Sequence, residues 1–295
     1  MSPPFARLDD ERTLSTEEFG RIADIAKREA GLCLSPAKKS MISARIARRL
    51  RATGQADFGG YVAFLKSRDG AEELRMLISA LTTNVSHFFR EEHHFRLIET
   101  ELLPRIEAEA RAGRRIRLWS AGCATGQEPY SIAMTILRRF PDAAAHDLRI
   151  LATDIDEAAL DRAVRGTYSQ RELDAVPPAD RKRFFRDAGN GDMEVGADLR
   201  ALVRFRQLNL VAAWPVRGPF DVVFCRNVVI YFDAATQAAL WPRLHRVIGP
   251  DGVLFIGHSE RLDPASAQGF SSIGVTAYRK RTGPDEPSRG ASQWH

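Results

Sequence analysis

A stretch of small and polar residues, Leu118-Trp119-Ser120-Ala121-Gly122-Cys123-Ala124-Thr125-Gly126-Gln127-Glu128-Pro129-Tyr130, carries an apolar run into a glycine turn and on into a helical pattern. A second apolar run, Leu148 to Thr153, ends on Asp154. In an α/β sheet this succession holds a nucleoside: the small residues let the backbone approach, and the carboxylate accepts from both ribose hydroxyls. An adenosine-containing cofactor is therefore expected. The turn lacks the first glycine of G-x-G-x-x-G, which admits a pyrophosphate, because Ala121 stands there. A phosphate-binding P-loop would need Lys and then Ser or Thr after Gly126, where the chain has Gln127. A nucleoside without phosphates fits best, and S-adenosylmethionine (SAM) is the commonest. Taken alone the turn is a weak sign, since glycine turns after strands also serve only to start helices.

The elements that would position these residues follow from the periodicity. Up to about residue 82 the chain reads as helices alone. A capping box of Ser15 and Glu18 opens the first, which stops at Gly31, and Ser35-Pro36 opens a second that stops at Gly54. Asp57 to Lys66 and Ala71 to Leu81 supply two more. A long helix through about Glu109 follows a connecting stretch, Thr82 to Arg90. Apolar strands at Ile116 to Ser120, Leu148 to Thr153, Phe220 to Cys225 and Val253 to Gly257 then alternate with helices near Glu128 to Arg139, Glu157 to Val164 and Ala234 to Val247. Such strands separated by helices predict a parallel sheet covered on both faces, with its ligand beyond the carboxyl ends.

The expected organisation is a flexible N-terminus over 1–13, a helical domain over 14–82, an α/β domain over 83–282 and a disordered tail over 283–295. Turn residues Gly189-Asn190-Gly191 and Gly196 predict a small β insertion at about 187–206.

With 295 residues the chain can bury an ample core. No run of apolar residues is long enough for a membrane span, and the polar N-terminus does not read as a signal peptide, so a cytoplasmic protein is expected. Cys33, Cys123 and Cys225 match neither a disulfide framework nor a zinc site. They are expected as reduced thiols, with Cys123 and Cys225 lining the site. His87, His93 and His94 read as a polar cluster, and no metal is expected.

The formal net charge is +5. It is unevenly spread: Lys38, Lys39, Arg45, Arg48, Arg49 and Arg51 fall in an acid-free segment, 36–51, and at helical spacing Lys38, Arg45, Arg48 and Arg49 form a stripe beside Ile42, Ile46 and Leu50. The asymmetry points to an acidic partner, although most such faces are merely solvated.

Four blocks in order, Thr82 to Glu91 (TTNVSHFFRE), Trp119 to Ile132, Ala152-Thr153-Asp154-Ile155-Asp156 and Phe224 to Phe232 (FCRNVVIYF), closely resemble the chemotaxis receptor protein-glutamate O-methyltransferases, the CheR family. The resemblance covers about residues 14 to 280, and the first and fourth blocks are its most specific parts. Ser86 stands where the family often has Thr, and Gln127 where it often has Glu.

The resemblance implies an N-terminal all-helical domain joined to a Rossmann-like, SAM-dependent methyltransferase sheet with a small inserted β subdomain. It places Asn84, Ser86, Arg90, Gly122, Glu128, Asp154, Asn209, Leu210, Arg226 and Asn227 around SAM, and makes Arg90 and Tyr231 the catalytic pair. The implied reaction is methyl transfer to glutamate carboxylates on the cytoplasmic helices of methyl-accepting chemoreceptors, with S-adenosylhomocysteine as product. Lys38, Arg45, Arg48 and Arg49 would meet those acidic helices, without nucleic acid or membrane insertion. Tethering to a receptor C-terminal peptide is left open. The alternatives are a SAM methyltransferase acting on another substrate such as nucleic acid, and a non-catalytic SAM-binding adaptor.

Overall fold

The computed structural model describes residues 14–281, so the expectations for 1–13 and 283–295 lie outside the described residues. The chain divides into two units, residues 1–82 and 83–295. In the first, helices α1 (Thr16–Ala30), α2 (Lys39–Ala52), α3 (Phe58–Leu65) and α4 (Ala71–Leu81) close around Phe19, Ile22, Ile46, Tyr61 and Leu77. The capping box holds, with Ser15 N donating to Glu18 and Glu18 N donating to Ser15, and Gly31 ends α1 in the left-handed region at φ 69°.

The second unit starts its helices with α5 (Glu92–Leu97) and α6 (Leu103–Arg111), separated by a π-turn over Ile98–Leu102. The long helix expected here runs without a break over 92–111, and its π-turn falls where Pro104 has no N–H for the Thr100 carbonyl and its ring crowds that group. Strands β1 (Ile116–Ala121) and β2 (Leu148–Asp154) flank helix α7 (Gln127–Arg139), and helix α8 (Glu157–Arg165) follows β2. Then come β3 (Thr167–Ser169), α9 (Pro178–Phe184), β4 (Phe185–Gly189), β5 (Asp192–Val195), α10 (Ala197–Leu202) and β6 (Val203–Gln207). The chain continues through β7 (Phe220–Cys225), α11 (Ala234–Val247), β8 (Ile248–Ile256), β9 (Phe270–Gly274) and β10 (Ala277–Lys280).

Seven of these strands form one sheet in the order β6-β2-β1-β7-β8-β10-β9. The first five are parallel, whereas β10 is antiparallel to both β8 and β9. Trp119, Phe224, Phe255 and Ile150 are fully buried, as a doubly covered sheet requires. The sheet is thus mixed at one edge, and the two edge strands were not foreseen because Phe270–Gly274 has exposed positions typical of a loop.

The inserted β unit also differs from expectation. Strands β4 and β5 do form a hairpin across Gly189-Asn190-Gly191, all at positive φ, but β3 joins them as a third strand. Residues 203–206, expected in the insertion, instead pair with β2 from Ile150↔Val203 to Asp154↔Gln207. The pattern Val-Arg-Phe-Arg alternates because β6 is a sheet edge with one wet side, so its periodicity resembles that of a separate hairpin.

Candidate active site

Three strand ends converge on the candidate site. After β1 the chain turns through Gly122, Ala124 and Gly126 at φ 82°, 47° and 95°. A Cβ on Gly122 would lie 2.3 Å from Val228 Cγ2, and one on Gly126 would lie 2.8 Å from both the Tyr168 hydroxyl and Ala163 Cβ. Only glycine meets both the left-handed backbone and that close approach. The main-chain N–H groups of Gly122 and Cys123 donate to Thr153 O at 2.7 and 2.9 Å, and the Tyr168 hydroxyl donates to Thr125 O at 2.7 Å. The turn is therefore fixed from both sides.

Asp154, at the end of β2, is 8% exposed. Its Oδ2 accepts from Ala124 N at 2.8 Å and its Oδ1 from Asp156 N at 3.0 Å. Burial pushes its carboxyl above the usual range, against those hydrogen bonds. Asp154 does not cap the next helix: Asp156 does so, accepting from Ala158 N and Ala159 N at 3.0 and 3.2 Å. Asp156 also accepts from Asn84 Nδ2 at 2.5 Å, bringing Asn84 to the same strand end. Leu208 N donates to Asp154 O at 2.9 Å, which places Asn209 and Leu210 beside it.

Beyond β7 lies Arg226, whose side chain is 1% exposed. Its guanidinium stands 3.4 Å from Glu128 and 3.5 Å from Glu91, and its Nη2 donates to Arg90 O. Glu128, in the first turn of α7, accepts from Ser120 Oγ at 2.6 Å; burial pushes its carboxyl up while Arg226 draws it down. Glu91 sits in the left-handed region at φ 58° and accepts from His258 N at 3.2 Å and from Asn227 Nδ2 at 3.4 Å. Burial would raise its carboxyl, but the His258 hydrogen bonds and Arg226 prevail and hold it at about 2. Arg226 Nε and Nη1 are buried without a hydrogen-bond partner.

Arg90 is half-buried, with Nη1 donating to Val85 O at 3.2 Å. Tyr231 is half-buried at the end of a 3-10 turn, Val229–Tyr231. Among the described residues no hydrogen bond joins the two side chains. Ser86 is half-buried in the same loop as Arg90.

A model of the CheR methyltransferase SAM-binding domain matches residues 84–279, and one of the CheR methyltransferase all-alpha domain matches residues 17–82. A probable chemotaxis protein methyltransferase of Rhizobium etli is 42% identical over 257 residues, covering 86% of this chain and 96% of that relative. The chain belongs to the CheR methyltransferases. The chemotaxis protein methyltransferase of Escherichia coli K12 is 39% identical over 276 residues, with 92% of this chain and 93% of the relative covered. Chemotaxis protein methyltransferase 2 of Pseudomonas aeruginosa is 38% identical over 281 residues, covering 94% and 97%.

This CheR methyltransferase is a SAM-dependent enzyme, and its donor set fits the cofactor. A buried carboxylate suits paired hydroxyls, and a buried arginine whose Nε and Nη1 make no hydrogen bond suits a carboxylate. Among the described residues no helix is long and apolar enough to cross a membrane.

Several expectations need correction. Arg45 and Arg49, assigned to a receptor-facing stripe, turn inward within the helical unit. Arg45 Nη1 donates to Ala80 O and Thr82 O at 3.1 and 2.8 Å, satisfying carbonyls at the end of α4. Arg49 pairs with Glu73, which is 5% exposed and also accepts from the Tyr61 hydroxyl. A buried carboxylate requires such a partner. Lys38 and Arg48 remain exposed. Cys123 in the glycine turn and Cys225 at the end of β7 are both buried, and burial pushes their thiols up.

His94 does sit beside His93, their ring centroids 4.2 Å apart. It is fully buried against Phe255, with Nε2 3.0 Å from both Val275 O and Thr276 Oγ1. A carboxylate does join the histidines here: ligand atoms of Glu91, His93 and His94 lie within 4.8 Å of one another. The Arg226 cation 3.5 Å from Glu91 already serves as that carboxylate's counterion and opposes a second cation. Neither Glu91 nor Glu260, a buried acid at the exit of β8, was foreseen, because both act on a loop more than 30 residues away in sequence.

The buried pair of titrating groups makes the fold acid-sensitive. Burial, with Arg226 and His93, draws His94 down from 6.5 to about 3. An unfolded chain therefore takes up the His94 proton first, and stability present above pH 6.5 falls as pH drops toward 3, by about 1.4 kcal/mol per unit. Glu91, also depressed, adds to the loss from 4.5 down to about 2. Urea unfolding at pH 7.5 and 5.5 should show the decline, and His94→Phe should flatten it; equal declines in both proteins would remove His94 as its source.

Proposed function

We propose that this CheR methyltransferase moves the SAM methyl group to the side-chain carboxylate of glutamates on the cytoplasmic helices of methyl-accepting chemoreceptors, forming methyl esters. The reading is carried by the match of both domains to relatives named chemotaxis protein methyltransferases over more than nine-tenths of their length.

The site chemistry agrees with it. A glutamate with a pKa of about 4.3 is ionised at neutral pH and needs no general base. The acids around the cofactor residues are already engaged: Asp154 with two N–H groups, Glu128 with Ser120 and Arg226, Glu91 with His258 and Asn227. SAM supplies an electrophilic methyl on a sulfonium cation.

The reaction joins an anion to that cation and leaves two neutral groups, so water favours the separated charges over the transition state. The protein gains by aligning the carboxylate and excluding water. A cation held tightly on the nucleophile would oppose transfer. In this reading Tyr231 gives the carboxylate one neutral hydrogen bond, whereas Arg90 orients groups and shares the carboxylate of SAM with Arg226. Asp154 takes the ribose hydroxyls; Asn84, Ser86, Gly122, Glu128, Asn209, Leu210 and Asn227 complete the pocket.

Labelled methyl should pass from SAM to membranes carrying receptors and be released by base as methanol. Label that resists base, or that appears on RNA instead, would end the proposal.

Recognition of the acidic receptor helices falls to the exposed Lys38 and Arg48. Charge reversal at both should lower receptor methylation several-fold at low salt, and raising salt through about 0.05 to 0.3 M should do the same to the parent while SAM binding changes little. Reversal at Arg45 or Arg49 would first disturb the helical unit. Parental methylation by the Lys38 and Arg48 variant would make the stripe a solvated face.

A further inference from the structure

At the exit of β8 the chain passes through Gly257 and returns to Glu260, whose side chain lies in the interior at 3% exposure. Its carboxylate accepts four main-chain N–H groups. Oε1 takes Val228 N at 2.9 Å and Val229 N at 3.0 Å; Oε2 takes Asn227 N at 3.0 Å and Gly257 N at 2.5 Å. Three of the four donors belong to the loop after β7, the loop that starts at Arg226 and runs through a 3-10 turn to Tyr231.

Other side chains hold that loop at its carbonyls and its ends, Gln237 Nε2 donating to Val229 O and Phe232 O at 2.9 and 3.0 Å and Asn227 Nδ2 to Glu91, whereas Glu260 takes the main-chain N–H groups of 227–229. Asn227 adopts the left-handed region at φ 59°, which Asn tolerates better than most residues with a side chain, and a Cβ on Gly257 would lie 2.9 Å from Asn227 N. The strand exits of β7 and β8 therefore meet at contact distance, with the Glu260 carboxylate bridging them.

We propose that Glu260 is a positioning residue for methyl transfer, fixing through these four bonds the places of Arg226, Asn227 and Tyr231. The inference rests on the reading of those three residues as the groups that meet cofactor and substrate. Glu260 itself touches neither.

Four converging donors demand a carboxylate, which has about four lone-pair sites on two oxygens. An amide of the same shape has one oxygen, and its NH2 group would face two N–H donors. Glu260→Gln should thus be nearly as harmful as truncation, although a merely space-filling role would tolerate it.

The expected result for Glu260→Gln is a loss of about tenfold in kcat together with several-fold weaker SAM binding, as displaced groups lose alignment. Amide exchange at Asn227, Val228 and Val229 should speed up in the same variant. Asp221→Asn provides the comparison: Asp221 is also 3% exposed and accepts a main-chain N–H, from Arg117 at 2.8 Å, but near the opposite end of β7. It should lower the unfolding midpoint while leaving kcat and SAM affinity at parental values.

Parental kcat and SAM affinity in Glu260→Gln would overturn the proposal, as would an equal kinetic loss in Asp221→Asn, which would make the effect one of stability. Should Glu260→Gln not fold, exchange in the parent decides: protection of the 227–229 amides like that of β8 supports the role, and exchange at open-loop rates rejects it. Asn227→Ala and Tyr231→Phe, assayed alongside, separate the two levels. Parental behaviour of both would remove the site reading and the proposal together, whereas their impairment beside an unaffected Glu260→Gln would remove the positioning role alone.

Discussion

Asp154→Ala should bind SAM about 2 to 4 kcal/mol more weakly, roughly 30- to 1000-fold in affinity, because it deletes the charged acceptor proposed for the two ribose hydroxyls. The carboxylate is buried and its ionised form is strained by that burial, so hydroxyl donors arriving from a ligand relieve a cost already present in the fold. It also holds Ala124 N and Asp156 N, so part of the loss could come through the glycine turn. Asp154→Asn separates the two parts: it keeps one acceptor oxygen and should lose about tenfold. Titration calorimetry with SAM or S-adenosylhomocysteine reads both variants. Affinity of Asp154→Ala within a factor of two of the parent would take Asp154 out of the site.

For Tyr231→Phe the expected change is in turnover. The ring and its packing at the end of the 3-10 turn remain, but the one neutral donor assigned to the substrate carboxylate is gone, so kcat should fall roughly 10- to 100-fold with SAM affinity nearly intact. Arg90→Ala should behave differently. Its carbonyl would still accept from Arg226, but the lost guanidinium is the one assigned above to cofactor as well as substrate, so affinity and turnover should fall together. Single-turnover methylation at saturating SAM, beside calorimetry, distinguishes the two patterns. Transfer by Tyr231→Phe at the parental rate would return Tyr231 to the status of a packed aromatic.

The sequence made local chemistry legible and long-range pairing illegible. Helices α4 and α11 run over Ala71–Leu81 and Ala234–Val247, as their periodicity and flanking residues predict. The glycine turn and Asp154 could be read because a strand, a turn and the next strand's end lie within residues 116–154 and obey one geometric rule. The inward turn of Arg45 and Arg49 was hidden for the opposite reason: helical spacing sets which face a residue occupies but not whether Glu73 waits across the bundle. The edge strand β6 misled because wet edges alternate in any sheet. Glu91 and Glu260 gave no local sign, since their partners are main-chain and side-chain groups brought close only by the finished sheet.

The Tyr168 hydroxyl that backs the glycine turn belongs to β3, the first strand of the small three-stranded sheet. That sheet is consequently not an interchangeable cassette. A chimaera that imports the hairpin of another relative can be cut after Ser169, retaining Tyr168 and its bond to Thr125, but a graft beginning before Thr167 would change the wall against which Gly126 is packed. The boundary for recombination therefore falls inside the small sheet rather than at its edge.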